Sequence, residues 1–345
     1  MLLFVGILLF ICLYRSKVLV SNTFDTDNYI SRTRTQSING IFVSLILLSH
    51  TYGITDTHDG ILDVLYNPAR VFLGQFVVVT FLFYSGYGIM ESILRKKDYM
   101  KSFPKKRLLK LWIQFACISV IYVILNLILR TDESLFTYVF SFTGLTTIGN
   151  GGWFMFAIFI LYLIIILSFF IFKKKPLRGA ILTTILVVGV IITELLLDFP
   201  SYYFSTLIFF PAGMLFSFIQ KTFLKIVTKN HLIWGCLTVI SIVGFALLKR
   251  VSSILFFPIW CGFGLLMVLL ISLKVKIENP ILIWLGQNAF PVFMLQGIPQ
   301  MIVPLFNIPV NIISYLIVFV STIGLVFLFN FIMKLLAKRN KQAVA

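Results

Sequence analysis

Apolar residues run along this chain in long blocks, not at alternate positions. Eleven blocks approach the ~20 residues an α-helix needs to cross a bilayer. They cover approximately residues 1–14, 36–54, 71–94, 108–129, 153–172, 179–198, 201–220, 233–249, 252–273, 281–303 and 310–336. Continuous Leu-, Ile- and Phe-rich stretches differ from the short alternating segments of a membrane β-barrel. The pattern predicts an all-α, polytopic membrane helix bundle with about eleven transmembrane helices. The first block is short and needs Lys17 to Val20 to reach across. Residues 135–148 are apolar but Gly/Thr-rich, which predicts a partial or re-entrant piece, tolerated only where protein or cavity water satisfies its backbone. No loop between blocks is long enough to fold alone, so any activity must be built between helices and short loops.

Composition agrees: 59% of residues are hydrophobic and 12% charged, against about 25% charged in soluble domains. The net charge of +17 would suit a nucleic-acid binder, but the placement of the charges argues otherwise. With the N-terminus outside, of the 29 Lys and Arg only Arg70, Arg130, Lys249 and Arg250 fall on the outer side. That asymmetry is the positive-inside signal. It predicts a multi-pass protein, of a bacterial plasma membrane, with a cytoplasmic C-terminus; the basic residues face lipid, not nucleic acid. The N-terminal MLLFVGILLFICLY lacks a basic start and a small-residue cleavage site, so a retained helix is expected.

Four cysteines, Cys12, Cys117, Cys236 and Cys261, lie in apolar runs without paired spacing and are expected to be small buried hydrophobes. Asp56, His58, Asp59 and Asp63 cluster after the second block. One His at that spacing is a poor metal site, and a solvated loop is expected, although Asp56 or Asp59 could orient His50.

His50 ends the second block about 14 residues from Gln36, roughly 21 Å along a helix, in the outer half of a ~30 Å hydrocarbon core. An ionisable group there must face the bundle interior or a wet cavity, and histidine suits proton transfer near neutral pH. The alternative is an interfacial His hydrogen-bonded to a neighbouring helix. Asn39, eleven residues earlier, points the same way; it lines one channel with His50 or caps the helix start. Lys106, Arg107 and Lys110 open a later block. Arg107 and Lys110 share a face on an α-helix and suit a pyrophosphate-bearing donor, although any cytoplasmic loop collects such residues. Ser85-Gly86 lies within an apolar block, where small residues allow close helix packing and Ser85 could also line a site. Trp153 follows Gly149-Asn150-Gly151-Gly152 as an interfacial anchor or, like Tyr84, as part of an acceptor or acyl channel.

Four stretches together resemble the acyltransferase-3 family of integral-membrane acyltransferases. Ser37 to His50 resembles its opening helix, with a His eleven positions after a basic residue. Phe81-Leu-Phe-Tyr84-Ser85-Gly86-Tyr87 resembles F-x-x-S-G-[YF] and is followed by the Phe103-to-Trp112 stretch, similar to a basic R-x-x-R patch. Gly151 to Tyr162 is like the Trp-led helix. Trp284 to Gln296 is similar to L-G-x-x-S-x-x-[IV]-Y-x-x-[HQ], which aligns Gln296 with a His or Gln. Here Asn39 stands for a basic residue, Lys110 for the second Arg, and Ala289 and Phe293 for a Ser and a Tyr. The resemblance divides the chain into an extra N-terminal helix and linker (1–35), a ten-helix acyltransferase-3-like domain (36–337) and a basic tail (338–345).

The resemblance implies an O-acetyltransferase. Acetyl-CoA would be the donor, held by Lys106, Arg107 and Lys110. His50 would act as general base or transient acyl carrier. Asn39, Tyr84, Ser85, Trp153 and Gln296 would line the cavity, with a surface polysaccharide or lipid-linked glycan as acceptor. No metal is expected. The competing expectation is a glycan or lipid transporter or flippase. The breaks at Gly297-Ile-Pro299 and Pro304 fit it, but no internal repeat is present.

Overall fold

A computed structural model describes residues 2–14, 16–19, 23–52, 73–249, 251, 256–306 and 312–342; the Asp56–Asp63 cluster and Arg70 lie outside them. The chain forms α1 (Leu2–Leu13), β1 (Lys17–Val18), α2 (Arg32–Tyr52), α3 (Phe76–Arg95) and α4 (Tyr99–Leu129). Then come α5 (Leu135–Ser141), α6 (Gly152–Ile171), α7 (Pro176–Leu196), α8 (Phe209–Val227) and α9 (His231–Leu248). The last elements are α10 (Phe257–Ser272), β2 (Val275–Lys276), α11 (Pro280–Gln287), α12 (Ala289–Leu295), α13 (Gly297–Ile302) and α14 (Ile312–Gln342).

Among the described residues, seven helices are long and apolar enough to cross a membrane, fewer than the eleven expected. Helix α1 is 12 residues long and α10 is 16. The expected span 201–220 begins its helix only at Phe209, and α8 then carries Gln220, Lys221 and Lys225. Helix α2, with its polar first turns, is not among the seven either, whereas the block 281–303 supplies one of them, Ala289–Phe306, after dividing into short pieces. Asn288 separates α11 from α12, and Gln296-Gly297 separates α12 from α13. Hydropathy averages over such breaks, because Pro and Gly interrupt the hydrogen-bond ladder without making a segment polar. Residues 135–148 form short α5 followed by turns.

The freed backbone groups find partners inside the bundle, as broken helices in an apolar environment require. Tyr122 of α4 donates to the Met294 carbonyl at 2.8 Å. Asn126 donates to the Ile148 carbonyl at 3.0 Å, and Asn150 to Ser119 Oγ at 3.1 Å. Asn330 of α14 donates to Asn288 Oδ1 at 2.7 Å, fixing the α11–α12 break.

Two helix pairs cross backbone to backbone. A side chain at Gly86 of α3 would strike the Phe210 carbonyl of α8, and one at Gly286 of α11 would strike the Gln36 carbonyl of α2. Close packing is thus the role of the glycine in Ser85-Gly86. The outward faces are apolar: Leu163, Leu167 and Phe170 on α6 and Ile181, Ile185 and Ile192 on α7 are exposed, as lipid-facing helices require. Cys236 is also exposed, where a small apolar group costs nothing in lipid; Cys12 and Cys117 are half-buried against core clusters, so only Cys261 is fully buried as expected.

The N-terminal segment is tied to the bundle at the end where α2 begins, here called the basic face. Antiparallel pairing joins Lys17 to Lys276 and Val18 to Val275. Beside it, fully buried Arg34 donates to the Ser272 and Val275 carbonyls at 2.9 and 2.8 Å and pairs with Asp25 at 2.8 Å. Burial alone would raise the Asp25 carboxyl, but the Arg34 hydrogen bond and the Lys276 and Arg34 charges outweigh it and hold it below the usual carboxylate range. Lys274 adds a bond to the Thr23 carbonyl at 2.9 Å and lies over the Phe24 ring.

Candidate functional site

Helix α2 presents one stripe of its surface to a cavity of about 420 Å³. Arg32, Asn39 and Ile46 recur at seven-residue steps, two helical turns apart, and all line it. Tyr84 and Ser85 of α3, Arg107 of α4, Tyr162 of α6 and Phe293 of α12 close the other walls. The cavity's basic end therefore holds two guanidinium groups from different helices, and no acidic residue is among the described residues that line it. Such an arrangement favours a ligand with anionic groups at that end.

Asn39 lies inside α2, two turns from its start, so it lines the channel and does not cap the helix. Its buried Oδ1 and the buried Tyr84 hydroxyl have no hydrogen-bond partner among the described residues. Ser85 lines the same wall, with Tyr162 facing both it and Arg107. Unpaired polar atoms in an otherwise apolar passage are costly unless something polar occupies the passage.

Arg107 separates from the other two cations of its patch. Residues Pro104–Leu109 form a π-helical stretch within α4, a geometry often found at functional positions. Pro104 has no N–H to give to the regular ladder, and the wider turn replaces the α-helical spacing assumed for the pair three residues apart. All three are exposed, but only Arg107 lines the cavity.

At the opposite end, Phe293 forms the junction with His50. Its ring lines the cavity and lies 5.9 Å from the His50 ring centroid, 5.5 Å from Phe154 and 6.4 Å from Trp153. Gly151 leaves room for it, since a side chain there would press on the Phe293 ring. Trp153 is not in the cavity wall; it buttresses Phe293 and meets Tyr202 at 5.5 Å. The His50 ring is exposed on its other side. Along α2, His50 stands ~27 Å from Arg32 at ~1.5 Å per residue.

The imidazole is held from α12 and α13. Gln296, buried where the two helices break, approaches His50 Nδ1 with its amide nitrogen at 3.1 Å and donates to the Phe293 carbonyl at 3.0 Å. One turn on, Gln300 donates to Thr51 Oγ1 at 3.4 Å. Buried Gln296 Oε1 has no partner among the described residues.

Apart from Arg32 and the first turn of α2, the arrangement lies within a region, residues 37–331, that matches the family model described as an acyltransferase domain. The chain belongs to the acyltransferase-3 family. It is a membrane acyltransferase, and this match lends the transport reading no support. No curated protein and no solved structure matches the chain. Within this acyltransferase the sequence-predicted residues Asn39, Tyr84, Ser85 and Arg107 converge on one cavity, with His50, Gln296 and Trp153 around the phenyl ring at its far end. Arg32 was missed because it counted only as a topology signal; its seven-residue offset from Asn39 was the available clue.

Proposed function

We propose that the protein transfers an acetyl group from acetyl-CoA to a hydroxyl of a surface polysaccharide or lipid-linked glycan precursor. The observation that carries this reading is the single passage between the Arg32–Arg107 pair and the ring that touches His50. The positive-inside bias makes the basic face and the C-terminus cytoplasmic, in a bacterial plasma membrane. Donor then enters beside Arg32 and Arg107, which bind its phosphates, and its narrow arm extends past Asn39 and Tyr84, whose unpaired atoms meet its amides. The cation pair and the orphaned acceptor and hydroxyl suit that molecule, which is anionic at one end and amide-bearing along its arm.

For transfer, the acceptor hydroxyl reaches His50 from its exposed side. With the Gln296 amide turned so that Oε1 accepts Nδ1–H, His50 Nε2 takes the hydroxyl proton. The alkoxide oxygen bonds to the thioester carbonyl carbon, the carbon–sulfur bond breaks, and the proton passes from Nε2 to the departing thiolate. Phe293 and Trp153 keep water from the thioester until acceptor arrives.

The test is acetyl transfer by the purified full chain in nanodiscs, together with mass spectrometry of surface polysaccharide from cells with and without the protein. His50→Ala, inserted at normal levels, loses transfer; full activity in that variant would overturn the assignment. An acetyl-histidine accumulating without acceptor would replace the base role with a covalent one.

A further inference from the structure

A second polar cavity, of about 550 Å³, opens at the end of the molecule where α9 finishes and α3 and α10 begin. Its wall includes Lys249, Trp260, Gln75, Ser201, Ser205 and Phe257. None of these residues lines the passage to His50. Lys249 Nζ lies 4.3 Å from the Trp260 ring centroid and forms no ion pair among the described residues. The indole beneath it is fixed: Trp260 Nε1 donates to the Phe245 carbonyl at 2.6 Å, and its ring stacks on Phe245 at 5.0 Å with planes 6° apart. Ser205 donates to Gln75 Oε1 at 2.7 Å, which fixes that amide and turns its nitrogen toward other acceptors.

An interfacial lysine above an aromatic ring is common where a helix leaves a membrane. The chemistry around this one goes further. The wall offers an ammonium, an amide nitrogen and serine hydroxyls, with no carboxylate among its described residues. The indole itself is buried between Phe245 and the ammonium. The exposed Phe256 ring and the half-buried Phe257 ring in the same wall, set among hydrogen-bonding groups, suit the apolar face of a sugar, and the ammonium selects an anionic one. Burial holds that ammonium below the ordinary lysine value, against the opposing influence of Cys261; a bound anion would reverse the effect.

The cavity is also coupled to the catalytic end. Ser201 and Ser205 face it, while Tyr202 between them packs edge-on against Trp153. Trp153 in turn meets Phe293, which meets His50. One short segment therefore borders both sites, on the same end of the bundle.

We infer that this cavity binds an anionic sugar, bearing a carboxylate or phosphate, of the acceptor glycan while another unit of the same chain presents its hydroxyl to His50. The inference rests on the proposed glycan acceptor. Its test uses the full chain in nanodiscs and three probes: a uronate-containing oligosaccharide, its carboxyl-reduced neutral counterpart, and a glycerol-phosphate oligomer. At least one charged probe binds about tenfold or more tighter than the neutral one, the worth of a charge-assisted hydrogen bond. Which one does so identifies the anion. Lys249→Gln removes the preference and Lys249→Arg keeps it, with acetyl-CoA binding in the same preparations reporting an intact fold. Equal binding of charged and neutral probes, or a preference that survives Lys249→Gln, overturns the inference. The parent protein separates the two readings. Charge preference without transfer in the parent protein would sink acetyl transfer and leave the cavity standing; transfer without charge preference would do the opposite.

Discussion

His50 Nδ1 and the Gln296 amide nitrogen lie 3.1 Å apart although 246 residues separate them in the chain. As the amide stands it donates, so the neutral imidazole carries its proton on Nε2. Turning it presents the unpaired Oε1 and frees Nε2 as a base. Gln296→Leu removes both options, and acetyl transfer is expected to fall about 10–100-fold, the loss of one buried hydrogen bond at ~1–3 kcal/mol. Gln296→Glu keeps the acceptor but sets a carboxylate beside the ring. It holds the ring through Nδ1–H as the turned amide would, so transfer should be largely retained where Gln296→Leu loses it; equal losses in the two variants would deny the hydrogen bond its role.

Phe293 separates the passage from the exposed side of His50. Shortening it should admit water to the thioester. Phe293→Leu is expected to raise acetyl-CoA hydrolysis without acceptor relative to transfer, while Phe293→Tyr retains tight coupling. The full truncation to Ala carries a cavity cost of about 3–5 kcal/mol, so the milder variant is the informative one. The ratio of free CoA to acetylated product reads the outcome.

Arg32 and Arg107 enter the cavity, whereas Lys106 and Lys110 do not. Arg32→Ala and Arg107→Ala should each raise the KM for acetyl-CoA by about 10–100-fold, from ~1.5–3 kcal/mol per charged hydrogen bond. Lys106→Ala and Lys110→Ala should stay within about threefold, as expected for solvated charges outside the cavity wall. Steady-state kinetics with varied acetyl-CoA distinguishes this pattern from a diffuse basic patch, in which all four would contribute alike.

Asp25→Asn strips the buried Arg34 of its close ion pair and leaves the longer one, 3.7 Å to the exposed Glu278. Removing one partner of such a pair costs about 3–5 kcal/mol, to be seen as a lower Tm in detergent at neutral pH. The Asp25 carboxyl is held below its ordinary value. Its contribution is therefore full above ~3.9, the unfolded value, and is lost as pH falls through the lower folded one. The parent and variant should converge in strongly acidic buffer; a difference independent of pH would deny the ion pair its role.

Much of this arrangement was legible in the chain. The family-like stretches contained Asn39, Tyr84, Ser85 and Arg107, and the structure gathers them because each sits on the inward side of its own helix. Gln296 was visible only as a motif position; the breaks at Asn288 and Gly297 that aim it at His50 vanish in a hydropathy average. Lys110 was assigned to a shared face by α-helical spacing, which the π-helical turn at Pro104 does not keep. Arg32 and Arg34 looked alike as two basic residues before a span. Two positions apart on α2, they point in different directions, one into the passage and the other into a buried ionic knot. Charge alone could not separate them.

That knot also sets an order of events on the ribosome. Arg34 is made 238 residues before Ser272 and 241 before Val275, whose carbonyls it caps. At ~5–20 residues per second the wait is about 10–50 s, during which Asp25 is already present but the remaining acceptors are not. The strand from Lys17 to Val18 likewise has no partner until Val275 and Lys276 are synthesised. Helix α1 is thus made before the other described elements and is among the last parts to be fastened, and a chain cut short before Ser272 could insert its early helices but never lock this one.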